Sequence, residues 1–130
     1  MRRLRHLLAD RIGSAAVEFA IAVPVLVMMV WGIIQIAIVF QANAGMQHAL
    51  GEGARLATIW PTPGDTLIQN KITAAKFGLG NGTWDTPVIA TDTTAKTKTI
   101  SVSYHQPTDF LLFPGPTIDL SATKVVYLAQ

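Results

Sequence analysis

The chain has 130 residues, half of them hydrophobic and only 14% charged, a balance too apolar for an ordinary water-soluble domain. Its formal charge of +2 comes from the N-terminus: residues 1–13 hold four of the ten Lys/Arg and one of the eight Asp/Glu, leaving six cations against seven anions in the remainder. That argues against a basic surface for nucleic acid, and the absence of cysteine excludes a disulfide framework and a thiolate metal site.

In chain order, the first element is a short basic leader containing Arg2, Arg3, Arg5 and Arg11. Phe19 to Phe40 then reads FAIAVPVLVMMVWGIIQIAIVF, in which Gln35 is the only polar side chain. As a helix rising about 1.5 Å per residue, this run reaches across a hydrocarbon core of about 30 Å and is expected to span a membrane. No Lys or Arg follows it until Arg55, so the positive-inside rule puts the N-terminus in the cytoplasm and the remainder outside. Pro24 is expected to kink this helix without breaking it, because neighbouring groups in a membrane satisfy the carbonyl that proline frees. Trp31, at mid-span, reads as a packing residue.

A carboxylate, Glu18, stands at the threshold of the apolar run, five residues after Gly13. A charge at a bilayer centre is unfavourable by roughly 2.5 to 3.5 kcal/mol on insertion scales, less near the edge. In one reading Glu18 marks the interface and reaches into the headgroups. The other reading uses its surroundings: a basic leader, Gly13, then Ser14, Ala15, Ala16, Val17, Glu18 and Phe19. This order resembles the cleavage motif of type IV prepilins. More narrowly, GSAAVEFAIAVPVLVMMVWGI, with Pro24 six residues beyond Glu18, resembles the TadE-like branch, the pilin-like minor components (pseudopilins) of tight-adherence (Flp) pilus systems. GEGARLA and the C-terminal ISVSYHQPTDFLLFPGPTIDLSATKVVYL are similar in character to the periplasmic region of that branch.

The resemblance implies that a prepilin peptidase cuts between Gly13 and Ser14, leaving the apolar helix attached to the mature protein. Gly13 lacks a side chain and accommodates the extended backbone a protease needs. The new amine on Ser14 is then a cation that a neighbouring subunit's Glu18, beside Phe19, can meet in low dielectric. The main pilin of the family is usually shorter than this chain, which favours a minor or accessory role. A rival cut is Ala42-Asn43-Ala44, an A-x-A sequence that would release a soluble domain starting at Gly45, but the apolar run is longer than the usual 7 to 15 residues of a secretory signal.

The helix is expected to continue out of the membrane to about residue 59. Gly45, Ala49, Gly53 and Ala57 recur every four residues and form a smooth stripe, suited either to the protein's own outer part or to a partner subunit. Glu52 and Arg55 read as a solvated pair. WPTPGD ends this helix, and a second is expected with Thr62 as N-cap, Pro63 at its first position and Asp65 closing a capping box. Leu67, Ile68, Ile72, Ala75 and Phe77 supply its apolar face and Gly78 its stop. GLGNG is a turn cluster without the spacing of a phosphate loop, and Asn81-Gly82-Thr83 matches a glycosylation sequon by composition alone.

From Thr86 the period changes to two. Strands are expected at about 87–91, at 97–104 with Ile100, Val102 and Tyr104 on one face, and at 117–128 with Ile118, Leu120, Ala122 and Val126 together. TTAKTK turns the first hairpin, and QPTDFLLFPGP is expected to form a longer connection. In that connection the apolar Phe110, Leu111, Leu112 and Phe113 are expected to lie under the sheet edge; if exposed, they would offer a contact to another subunit. His6, His48 and His105 are scattered without metal-ligand spacing, and the Asp residues fall near turns, where they cap backbone.

These readings combine into an α+β, pilin-like fold: a long N-terminal membrane-spanning helix packed against an antiparallel sheet of about three strands. The chain divides into a basic leader (1–13), a transmembrane and extended helix (14–59) and an extracytoplasmic α+β region (60–130). No catalytic constellation, metal site or cofactor is expected. The resemblance implies a single-pass protein of the bacterial inner membrane, incorporated in or assisting a surface pilus in adhesion. Its partners would be prepilin peptidase, other pilin or pseudopilin subunits, an inner-membrane assembly platform and the lipid bilayer. The alternative is an unprocessed single-pass anchor whose outer domain binds envelope partners or substrate.

Overall fold

The computed structural model describes residues 11–128; the leader cations Arg2, Arg3 and Arg5, and His6, lie outside the described residues. Helix α1 (Arg11–Ala57) is one continuous element, and Pro24 sits inside it without ending it. Its last turn tightens, with the amides of Thr58 and Ile59 donating to the carbonyls of Arg55 and Leu56 at 3.3 and 3.2 Å, the i→i+3 pattern by which helix ends satisfy orphan carbonyls.

Helix α2 (Asp65–Ala75) begins two residues later than the Thr62-Pro63 pair suggested. Gly64, extended at φ −63° and ψ 154°, is its N-cap, and no side chain caps it. The reason lies in Asp65: its carboxylate is taken by the ammonium of Lys98 on the sheet and is not folded back onto its own helix. Ile68 and Ile72 are fully buried as expected, whereas Leu67 and Phe77 are exposed.

The sheet has four strands, β1 (Thr83–Trp84), β2 (Val88–Asp92), β3 (Thr97–Phe110) and β4 (Phe113–Tyr127). β3 is central: β4 pairs along nearly its whole length, while β2 and the two-residue β1 pair in succession along its other side. All pairings are antiparallel. Asp92 caps the turn into β3 by accepting from the amides of Thr94 and Ala95 at 2.8 and 2.9 Å. The expected long connection after residue 104 is replaced by strand. β3 runs on to Phe110, β4 starts at Phe113, and Leu111-Leu112 alone make the turn, with Leu111 at φ +50°.

The core lies between the outer half of α1, helix α2 and one face of the sheet. Ala42, Met46, Ala49, Leu50, Ala54 and Ala57 of α1 meet Ile68 and Ile72 of α2 and Ile100, Val102 and Tyr104 of β3. Ala122 and Val126 of β4 close it, so the inward faces expected from the period of two are those observed. A buried polar knot borders this core. The Tyr104 hydroxyl donates to Gln106 Oε1 at 2.8 Å and accepts from the Gly82 amide at 3.0 Å, while Gln106 Nε2 donates to the Pro107 carbonyl at 2.9 Å. It ties the GLGNG loop to the sheet, and any Cβ at Gly82 would overlap the Tyr104 ring.

Candidate membrane anchor and assembly site

The two halves of α1 have opposite surroundings. Over its most apolar eighteen-residue stretch only 6% is buried by the rest of the protein, and Val17, Phe19, Ile21, Val25, Ile33 and Ile36 are all exposed. A core helix of a soluble protein would have this surface covered. Bare and apolar over more than the about 20 residues needed, the segment is long and apolar enough to cross a membrane.

Gly13, Ser14, Glu18 and Phe19 all lie on this bare part, exposed and helical. Among the described residues nothing lies within 4 Å of the position a Cβ would take at Gly13; the Gly13-Ser14 bond is helical and must unwind to meet a protease. Among the described residues the acidic members of ion pairs are Glu52, Asp65, Asp85 and Asp119; Glu18 is not one of them. Glu18 lines the same surface as Phe19, Ala22 and Val25. Ala42, which begins the rival A-x-A sequence, is fully buried in the same helix.

The small-residue stripe is spent within the protein. A Cβ added at Gly45 would overlap the Phe77 carbonyl, one at Gly53 would overlap the Ile72 side chain, and Ala49 and Ala57 are fully buried. The stripe is therefore the seat of α2 and the segment that follows it. Beside it Glu52 accepts from Arg55 at 3.4 Å and lies 3.5 Å from Lys71. The Arg55 charge, helped by Lys71, lowers the Glu52 pKa.

Two arrangements went unread in the sequence. Trp31, expected only to pack, donates its indole N–H to the Asp109 carbonyl at 2.6 Å, joining the middle of α1 to the far end of β3. His105 is bracketed by Asp119, 2.6 Å from Nδ1, and Asp85, 3.1 Å from Nε2. Hydrogen bonds first to Asp119 and then to Asp85 raise the His105 pKa. His105 and Asp119 are directly opposite in the β3–β4 register, so their meeting follows once the turn is placed at Leu111-Leu112. The expectation that Phe110 to Phe113 lie under the sheet edge is overturned: Leu111, Leu112 and Phe113 are exposed, Leu112 at 73%, because the chain turns there at the end of a hairpin and nothing beyond covers it.

A long, bare apolar helix carrying a small antiparallel sheet on its outer half defines an α+β protein of pilin-like architecture, fit for anchoring in a membrane. Residues 13–55 match the family model of TadE-like proteins, so this segment is TadE-like. Neither the curated proteins nor the solved structures yield a match.

Proposed function

We propose that the protein is a minor pilin or pseudopilin of a tight-adherence (Flp) pilus, structural and not enzymatic, which prepilin peptidase cuts after Gly13. The observation that carries this reading is the conjunction, within the TadE-like segment, of a Gly13 with open space around it among the described residues and an exposed Glu18 without a described ion-pair partner. Before assembly the bare helix is held in the inner membrane with its N-terminus cytoplasmic, as the leader charge directs. In assembly the Ser14 amine of one subunit meets Glu18 of another, and an anion that is costly alone in low dielectric becomes a contact between subunits. Other pilin subunits and an inner-membrane assembly platform are the partners this requires.

Intact-mass measurement of the membrane-extracted protein tests the cut: the mature form should lack residues 1–13, and a chain still beginning at Met1 would leave only an unprocessed anchor. Glu18→Ala separates cutting from assembly. Processing should survive while incorporation into sheared pili drops to background; normal incorporation of the variant would refute the charge contact.

A further inference from the structure

We propose that the tip of the β3–β4 hairpin, Phe110 to Phe113, is a second membrane contact, entering the outer-leaflet hydrocarbon beside α1 of the same chain. The inference rests on α1 being the membrane anchor, and its first support is where the tip lies along that helix. Gly80 stands between Gln106 and Ile38, and Asp109 is joined to Trp31. From Gln106 to Asp109 the strand advances about 10 Å at its usual rise. From Ile38 back to Trp31 the helix covers about 10 Å. The hairpin therefore descends along α1 toward the N-terminus, and Leu111 and Leu112 lie beyond the level of Trp31.

That level is inside the bilayer for any placement of the span. A 30 Å core takes about 20 residues of helix. Whether those residues start at Ser14 or end at Phe40, the window contains Trp31. Trp31 stands nine residues before Phe40, about 13 Å along the axis.

The chemistry of the tip is the second support. Two-residue hairpin turns favour Asn and Gly, which accept positive φ. Here the turn is Leu-Leu with Leu111 at φ +50°, flanked by Phe110 and Phe113, whose rings lie 5.5 Å apart. Apolar side chains thus occupy the place where turn geometry and water would both select polar ones. Between Lys98 and Lys124 the only carboxylates are Asp109 and Asp119. Asp109 is exposed, lies on the domain side of the tip and is the one anion beside it. Backbone groups at the tip itself are paired: Phe110 pairs with Phe113 in the ladder, the Leu112 amide donates to the Phe110 carbonyl, and Trp31 satisfies the Asp109 carbonyl.

Third, the hairpin and the helix enclose an open groove of about 500 Å³. Met29, Ile33 and Ile36 line it on one side and Phe110, Pro116 and Ile118 on the other. It is continuous with the bare apolar surface of α1, and lipid acyl chains suit it because they fill irregular apolar space at that depth.

The chain contains no cysteine, so single-cysteine labelling is clean. The full chain is reconstituted in phosphatidylethanolamine/phosphatidylglycerol vesicles with an environment-sensitive fluorophore at Leu112→Cys. Val25→Cys serves as a probe of the anchor and Thr94→Cys as a probe of the opposite end of the hairpin. Spin-labelled lipids should quench Leu112→Cys several-fold more than Thr94→Cys, with aqueous iodide showing the reverse order. Iodide quenching of Leu112→Cys with lipid quenching of Val25→Cys would overturn this inference alone. Iodide quenching of Val25→Cys would overturn the anchor reading beneath it. Protection of Leu112→Cys from both quenchers would show that a second copy of the chain covers the tip, which also overturns it.

Discussion

The inner and outer halves of α1 belong to one unbroken helix, yet they are built for different neighbours. From Gln41 to Ala57 the covered face carries Gly45, Ala49, Gly53 and Ala57, and α2 with its following segment sits almost on the helix backbone. From Ser14 to Phe40 the surface carries Val, Ile, Leu, Met and Phe, nearly all bare. Small residues commit a helix to one close-fitting partner of fixed shape. Large flexible ones suit an environment that adapts to them, whether acyl chains or the helices of other subunits. Side-chain size along the helix therefore marks where the protein's own fold ends and its surroundings begin.

The sharpest way to break that comparison is to place the same large side chain in both halves. Gly53→Leu should lower the stability of the outer domain by about 3 kcal/mol or more, since overpacking a filled site displaces the Ile72 side chain. Gly32→Leu, with nothing within 4 Å of its Cβ position, should stay within about 0.5 kcal/mol. Urea unfolding in micelles, followed by the near-ultraviolet signal of the tryptophans, reads both; equal losses would mean that the two halves are equally packed.

A smaller effect tests the seam between the halves. Trp31→Phe keeps an aromatic ring but removes the bond to the Asp109 carbonyl, and should destabilise the hairpin end by about 1 kcal/mol. Amide hydrogen exchange should accelerate at the far end of β3 and remain unchanged in β2.

The smallest effect belongs to the surface of the outer half. His105 should titrate above the ordinary histidine value because Asp119 and Asp85 favour its charged form. A raised folded-state pKa contributes stability that is fully present below the unfolded-state value, about 6.5, and is lost as pH rises through the folded value. An NMR titration of the ring protons should show the elevation in the native chain and a drop toward the ordinary value in Asp119→Asn.

What was legible in the sequence was local or periodic. The apolar run after Glu18 is contiguous, so the long helix, and with it the TadE-like resemblance that the family match over residues 13–55 supports, did not depend on the fold. The buried faces of β3 and β4 followed from alternation, because one side of a sheet must meet the core. The tip of the hairpin was not legible, since Pro107, Pro114 and Pro116 in QPTDFLLFPGP argued against strand. Proline is tolerated where a strand has an unpaired side. β4 has β3 as its one partner, and β3 has only β4 beyond the two residues that β1 covers. The start of α2 was misread because Asp65 had a distant competitor, Lys98, that no local pattern discloses. The His105 cluster was hidden for the same reason: Asp85, His105 and Asp119 meet only once the register is known.

The link between Trp31 and the Asp109 carbonyl has a mechanical consequence. It braces the rod at a point about 26 Å from Ser14, so the free arm is only the part below that brace. A tilt of the outer domain therefore carries the rod with it down to Trp31, and bending is left to the arm below, where Pro24 lies.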